Sequence, residues 1–370
     1  MKIGILTFHF GTNYGGILQC YALYRYLKSQ GHNVEVIDYK SSRRIPLIKR
    51  VRNKIKTITS LKKIGELIKY AMSYRQPSSS SNLPNPLPSI FDEFRKTHFT
   101  FSPKVDDSTI KSLSSRYDLV IVGSDQVWTD LYSGNTTYFL DWIADDSPTH
   151  RMSYAACSAH ALVNGSDTKK LLNKLLSKFD FITVRDSTTS DLIENITSQV
   201  PQLVADPTLL YSFDEFISTE SKTPYILAYI LDSEIDGGHE KAIQKIRASY
   251  GDLPVKLIYI PGHNETATKF ADEVMTDVTP EQWVDLFAHA SFVYTDSFHA
   301  IMFAMKFNKP LFAYYTNPVR ASRLLDLKKR FHNLLIVNKI PATLSLVDIN
   351  MNLSEFIDQS KSKLHFPNSN

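Results

Sequence analysis

Short apolar runs that break off in a polar cluster and give way to a helical pattern recur along the whole chain, and this alternation restricts the fold more than any other feature. Runs that are apolar throughout suit strands buried on both faces, and the helices between them supply the crossovers that parallel strands require. In the first half the pattern predicts strands over 2–8, 33–37, 118–122, 151–155, 181–184 and 202–204, with helices over 17–30, 48–74, 88–97, 168–178 and 187–195. The second half restarts it, with strands over 224–230, 255–260, 274–275, 291–295 and 310–314 and helices over 237–250, 265–271, 280–288 and 298–306. Gln76 to Pro88, with four consecutive serines and Pro77, Pro84, Pro86 and Pro88, reads as an exposed connector, and Asp206-Pro207 as a linker. A chain of 370 residues exceeds what one core usually serves. The expected fold class is therefore α/β, two Rossmann-like domains facing a central cleft, with residues 1–207 as the first and 208–350 as the second. Residues 351–370 are expected to form a helix near Leu353–Leu364 that can cross back onto the first domain, followed by a frayed tail.

Composition narrows the function classes. The chain is 43% hydrophobic, as ordinary globular proteins are, and has no apolar run of the roughly 18 residues a membrane span needs. Met1-Lys2 leads straight into a strand with no cleavable signal pattern, so a cytoplasmic location is expected. Cys20 and Cys157 lie in apolar settings without metal-ligand spacing and read as buried thiols of a reducing compartment, so no metal is expected. Between Lys40 and Arg75, 12 Lys and Arg stand against Glu66 alone, a local charge of 12 − 1 = +11 that leaves 4 − 11 = −7 for the rest of the chain. Apolar residues at spacings of three and four make this segment an amphipathic pattern with a basic face. It suits an anionic membrane surface or a pyrophosphate-bearing lipid, and equally a solvated outer helix. The basic residues lack interleaved aromatics, which argues against nucleic acid.

Four strand-to-helix junctions carry candidate chemistry. Thr295-Asp296-Ser297-Phe298-His299 separates two apolar runs. The unpaired amides and dipole of the following helix favour an anion there, and His299 can exchange a proton beside it. Asp296 or Ser297 would serve equally as an ordinary N-cap. After the first strand, Gly11-Thr12-Asn13-Tyr14-Gly15-Gly16 precedes a helix and suits close approach of backbone to a ligand, with Asn13, Gly15 and Gly16 as candidates. Its glycine spacing is that of neither the dinucleotide fingerprint nor the nucleotide-triphosphate loop, so no nucleotide cofactor is implied. Val120 to Trp128 ends a third strand, where Asp125 and Gln126 would meet sugar hydroxyls and Trp128 would stack on a sugar face; an Asx-turn with a buried Trp is the plainer alternative. At the fourth junction Arg185 offers a planar fork suited to carboxylate or phosphate, or to a structural contact with Asp186. His9 is a weaker candidate, Met152 to Ser158 reads as close packing around a site, and Asp206 reads as a turn or cap residue.

With these junctions in hand, the chain resembles the polysaccharide pyruvyl transferase family. The matching blocks are GILTFHFGTNYGGILQCYAL, DLVIVGSDQVW, RMSYAACS, FITVRDSTTSDLI, LVADPTLL and EQWVDLFAHASFVYTDSFHAIMFAMKFNKPLF, in order and across nearly the whole chain, with 40–110 the divergent part. The resemblance implies a fold like that of two-domain glycosyltransferases of the B type. It also implies transfer of the pyruvyl group of phosphoenolpyruvate to two hydroxyls of one sugar, giving a cyclic ketal and inorganic phosphate. Phosphoenolpyruvate would be the donor substrate, with no cofactor, and the acceptor a lipid-linked or nucleotide-linked sugar of capsule or exopolysaccharide assembly. The roles implied are His299 as acid, Asp125 as base, and Arg185 with the amides near His299 as donor ligands. The position two before the motif histidine, often Arg in the family, is Ser297 here, which leaves Arg320 or Arg323 to supply that cation. A nucleotide-sugar glycosyltransferase of the same architecture and a non-catalytic carbohydrate-binding scaffold are the alternative readings.

Overall fold

A computed structural model describes residues 1–42, 85–129, 135–158, 166–232, 234–263, 265–316, 321–342, 344 and 353–364. The expected helix 48–74, most of the basic segment 40–75 and most of the Gln76–Pro88 connector lie outside the described residues. The first half runs β1 (Lys2–Leu6), α1 (Tyr14–Ser29), β2 (Asn33–Val36), α2 (Leu87–His98), β3 (Leu119–Val122), β4 (His150–Ala156), α3 (Ser166–Leu176), β5 (Phe181–Val184), α4 (Ser187–Thr197), β6 (Gln202–Leu203) and a single turn α5 (Pro207–Leu210). The second half runs β7 (Ile226–Tyr229), α6 (His239–Tyr250), β8 (Val255–Ile258), β9 (Glu273–Met275), α7 (Pro280–His289), β10 (Phe292–Thr295), α8 (Phe298–Lys306), β11 (Leu311–Tyr314), α9 (Ser322–Arg330) and β12 (Ile336–Val337). A final helix, α10, covers Leu353–Ser362.

Each half builds one six-stranded, all-parallel sheet, in the order β2-β1-β3-β4-β5-β6 and β12-β11-β10-β7-β8-β9. The central strands LVIV, ILAY, FVYT and LFAY are buried at every position, the reason their sequences lack alternation. Winding reverses between β1 and β3 in one sheet and between β7 and β10 in the other. At such a switch point adjacent loops diverge and leave a crevice at the carboxyl ends of the strands. The fold is thus α/β with two Rossmann-like halves, as the sequence pattern implies.

The halves are packed together mainly through α1. One apolar cluster includes Ile5 and Ile121 of the first sheet, Leu227 and Val293 of the second, and Tyr14, Leu18 and Tyr21 of α1. Tyr14 stacks on Trp283 of α7, with ring centroids 5.8 Å apart, and its hydroxyl donates to the Val278 carbonyl. The C-terminal helix does cross back: the Ala205 amide donates to Ser360 Oγ at 2.8 Å, and Leu364 is buried in the shared cluster.

Five elements depart from expectation. The first helix begins at Tyr14 rather than at 17, because the Asn13 side chain caps it by accepting from the Gly16 amide at 3.1 Å; Gly15 and Gly16 therefore sit in its first turn. The connector ends earlier than Pro88, since Leu87 and Pro88 open α2, where a proline's missing N–H is harmless. The helix expected over 265–271 is a short 3-10 turn, Glu265–Lys269, whereas α9 and β12, which the pattern did not mark, are present. Replacing Ser360 with Ala is expected to leave the buried Ala205 amide without a partner, lowering unfolding stability by about 1–3 kcal/mol in urea denaturation.

Candidate active site

Both switch points open onto one cavity of about 380 Å3. Its walls come from the loop after β1 (Phe8, Asn13), the loop after β3 (Asp125, Gln126), the loop after β7 (Leu231, Asp232), the β10–α8 junction (Asp296, Ser297, Phe298, His299), the residues after β11 (Tyr315, Thr316) and the start of α9 (Ala321, Arg323, Leu324). Among the sequence candidates, Asn13, Asp125, Gln126, Asp296, Ser297 and His299 are thus brought together. Gly15 and Gly16 lie just behind, in the first turn of α1, and Arg185 and Trp128 are not part of the lining.

The β3 loop is shaped by backbone constraints. Gly123 has φ +107°, and a Cβ there would lie 2.4 Å from the Tyr154 carbonyl oxygen, so only glycine fits. Asp125 follows at φ +70°, a left-handed conformation that costs a non-glycine residue of the order of 1 kcal/mol. Its carbonyl accepts from the Cys157 amide at 3.0 Å, which ties the loop to the end of β4.

Beneath the cavity floor lies a group of buried charges. Arg185, 1% exposed, donates through Nη1 to Asp206 Oδ2 at 2.8 Å and through Nη2 to Asp125 Oδ1 at 3.2 Å. Asp206 Oδ2 also accepts from Ser124 Oγ at 3.2 Å and lies 3.7 Å from His299 Nε2, while Oδ1 caps α5 by accepting from the Thr208 amide and hydroxyl. Burial pushes both carboxyls up, but the surrounding cations outweigh it. Arg185, His299 and Arg323 hold Asp125 below the ordinary value of 3.8, and His299 and Arg185 hold Asp206 far below it. Arg185 is therefore engaged by the protein's own carboxylates instead of facing the cavity as a ligand cation, and Asp125 is a weak base.

The second half supplies the other wall. Ser297 sits at the N-cap position of α8 without a side-chain cap bond, and the first helical bond runs from the Ile301 amide to the Ser297 carbonyl. The amides of Phe298, His299 and Ala300 precede that bond at the positive end of the helix. Asp296 accepts from the Leu231 amide (2.8 Å) and the Asp232 amide (2.6 Å), bracing the β7 loop; burial pushes its carboxyl up to about 7 against those two amides. Arg323 stands beside Ser297. Its guanidinium lies 5.5 Å from the Phe298 ring centroid, a ring that Arg185 also contacts at 4.3 Å, and the Gln126 side-chain oxygen accepts from it at 2.7–3.0 Å. Arg320, the other cation considered, lies outside the described residues.

One expectation needs correcting. Trp128 is buried rather than poised for a sugar: it stacks on Phe139 at 5.5 Å and donates through Nε1 to the Tyr138 carbonyl, so its large apolar face is used by the core. The cap reading of Asp206 holds, since Oδ1 caps α5, and its second oxygen in addition meets Arg185 and Ser124 and lies near His299. The sequence marks Arg323 only as a substitute for the cation missing at Ser297, and Asp206 only as a turn or cap residue; the grouping of Asp206 with Arg185 and His299 is what it does not mark. Among the described residues no helix is long and apolar enough to cross a membrane, and no group of three or more His, Cys, Asp or Glu could hold a metal ion.

This arrangement defines a two-domain α/β protein with a cavity between the carboxyl ends of two parallel sheets, with Arg323, His299 and helix amides on one side and hydrogen-bonding polar groups on the other. The family model described as polysaccharide pyruvyl transferase matches residues 13–318, and the chain belongs to that family, a family of transferases. No curated protein matches it by sequence. Among solved structures it is similar to the UDP-GlcNAc 2-epimerase of Methanocaldococcus jannaschii in complex with UDP-GlcNAc and UDP, at 13% identity and TM-score 0.47 over 99% of this chain and 94% of that one. It is also similar to the E. coli heptosyltransferase WaaC with ADP, at 14% identity and TM-score 0.41 over 97% and 100% of the two chains. A third similar structure is Arabidopsis thaliana UGT89C1 complexed with UDP-L-rhamnose, at 11% identity and TM-score 0.43 over 98% and 90%.

The two arginines are expected to behave differently. Arg185→Met strands two buried carboxylates and should lower stability by about 3–5 kcal/mol in denaturant titration, whereas Arg323→Met should cost less than about 1.5 kcal/mol. Because the Asp125 and Asp206 values are depressed, the stabilisation they carry is complete above 3.8 and fades as the pH falls through the lowered values. The acid limb of the wild-type stability curve should therefore flatten in Arg185→Met.

Proposed function

We propose that the protein transfers the pyruvyl group of phosphoenolpyruvate to two hydroxyls of one sugar, forming a cyclic ketal in surface-polysaccharide assembly. The observation that carries this reading is the placement of Arg323, Ser297 and the amides opening α8 around His299 on one wall of the cavity. A donor with a carboxylate and a phosphate needs cations and amides, and protonation of its methylene carbon needs an acid within reach. Arg323 takes the part of the cation absent at Ser297. The acceptor lies against the first-half wall, where Asn13, Asp125 and Gln126 offer hydrogen bonds to hydroxyls and Phe8 an apolar face.

In this scheme His299 protonates C3 of the enol, C2 becomes electrophilic, and one sugar hydroxyl adds there, its proton restoring the one His299 gave up. The second hydroxyl then displaces phosphate, its proton leaving with the phosphate, so that the sugar loses two hydrogens and the donor carbon gains one. Asp125, held ionised by Arg185, orients the attacking hydroxyl as a hydrogen-bond acceptor and has little appetite for its proton. No cofactor enters these steps. The first half is thus the acceptor side and the second the donor side.

Phosphate release from phosphoenolpyruvate, measured with galactosyl, mannosyl and glucosaminyl acceptors, is expected to depend on the acceptor and to fall by about 100-fold or more in His299→Ala. Arg323→Gln should instead raise the donor KM by at least about tenfold, in line with loss of a charge-assisted contact. Release that is unchanged in both variants would remove the donor site from this cavity. The basic segment 40–75 is proposed to hold the enzyme at an anionic membrane surface, near a lipid-linked acceptor. Charge reversal at Arg50, Arg52, Lys54 and Lys56 is expected to abolish sedimentation with anionic liposomes, and unchanged sedimentation would end that idea.

A further inference from the structure

His299 is buried, 6% exposed, and is gripped from two sides by features the reaction scheme does not use. On one side, Nε2 points to Asp206 Oδ2 at 3.7 Å and, among the described residues, has no hydrogen-bond partner. On the other, Nδ1 lies against the first turn of α1, where a Cβ on Gly15 would come within 2.1 Å of it. The ring is thus bounded by a carboxylate at one nitrogen and by bare backbone at the other. Asp206 is itself immobile: its side chain has no solvent exposure, Thr208 holds one oxygen by amide and hydroxyl, and Arg185 and Ser124 hold the other. A carboxylate so fixed, and kept ionised by a buried guanidinium, cannot serve as a proton shuttle. It can select which imidazole nitrogen carries a proton and stabilise the charged ring, and that is the role a histidine general acid needs filled.

We infer that Asp206 is the positioning residue of His299: it orients the ring and keeps a proton on Nε2, so that Nδ1, in a place the ring can occupy only because residue 15 has no side chain, is the nitrogen that gives up its proton. This inference rests on the reading of His299 as the acid. Arg185 acts one step further back, holding Asp206 and Asp125 in place. The 3.7 Å separation is long for a hydrogen bond, as such contacts often are before substrate binds, and it closes when a ligand seats the ring.

The test combines nitrogen NMR of histidine-labelled protein, with the His299 signals assigned from His299→Gln, and steady-state kinetics on two variants. In the wild type the neutral His299 ring should carry its proton on Nε2. Asp206→Asn removes the charge, and Gly15→Ala displaces the ring while leaving the Asp206–Arg185 pair intact, so the second variant answers the question if the first folds poorly. In both, the His299 signals should leave their wild-type positions and kcat should fall by about 100-fold or more, with the donor KM within about twofold. A wild-type ring protonated on Nδ1, or ring signals unmoved in both variants, would overturn the inference. So would retained kcat with an altered KM. If the wild type turned over no phosphoenolpyruvate at all, the functional reading would fall, and the ring signals alone would still decide whether Asp206 positions His299.

Discussion

The site depends on one buried guanidinium. Arg185 lies where the ends of β3, β5 and β6 converge, and its two carboxylate partners come from the loops after β3 and β6. A charge in that place is tolerated only because it is paired and hydrogen-bonded on both sides; removal of any partner would leave an uncompensated ion in a dry interior. The pairing therefore fixes three strand ends relative to one another. It also keeps two carboxylates ionised, Asp125 at the cavity wall and Asp206 beneath its floor, which no solvent-exposed arrangement of the same residues would hold so firmly.

The second half is locked to this group through α9. That helix delivers Arg323 to the cavity from its first turn, and three residues later Asp326 accepts from the Ser187 amide at the start of α4 at 3.1 Å. Arg330, at the end of α9, donates to Asp326 at 2.8 Å and to the Arg185 carbonyl at 3.1 Å. One nine-residue helix thus joins the cavity-wall arginine, the start of a helix in the opposite half and the backbone of the central arginine. Any relative motion of the halves that breaks the Asp326 contacts would also move Arg323, so cleft geometry and the charge on that wall are mechanically linked. His299 adds a second link, since it reaches from α8 to Asp206 and lies against Gly15 of α1.

Much of the architecture was legible in the chain because burial on both faces leaves a strong trace. The strands LVIV, ILAY, FVYT and LFAY have no polar alternation to confuse them with exposed strands, and the helix after His299 was expected with the bounds it has. The misjudged elements have physical causes. An asparagine cap drew the first helix back to Tyr14, and α9 is so rich in Lys, Arg and Asp that its apolar stripe is thin. Trp128 was misassigned because an aromatic beside a polar turn has the same local sequence whether it faces a ligand or a core; only the position of Phe139 distinguishes the two.

By itself, the sequence determined the periodic pattern, and hence two parallel sheets with helical crossovers, the polar junctions at strand ends, and the family. These are local properties, written in the spacing of apolar residues and in short contiguous blocks. Only the tertiary structure decided which charges meet. Asp125, Arg185, Asp206, His299 and Arg323 are separated by tens of residues, and whether a cation binds a ligand or a neighbouring carboxylate depends on distances of a few ångströms that no local pattern encodes. That is why Arg185, read from its strand end as a ligand cation, is found paired with two carboxylates, and why Asp206, read as a turn or cap residue, also lies behind the histidine.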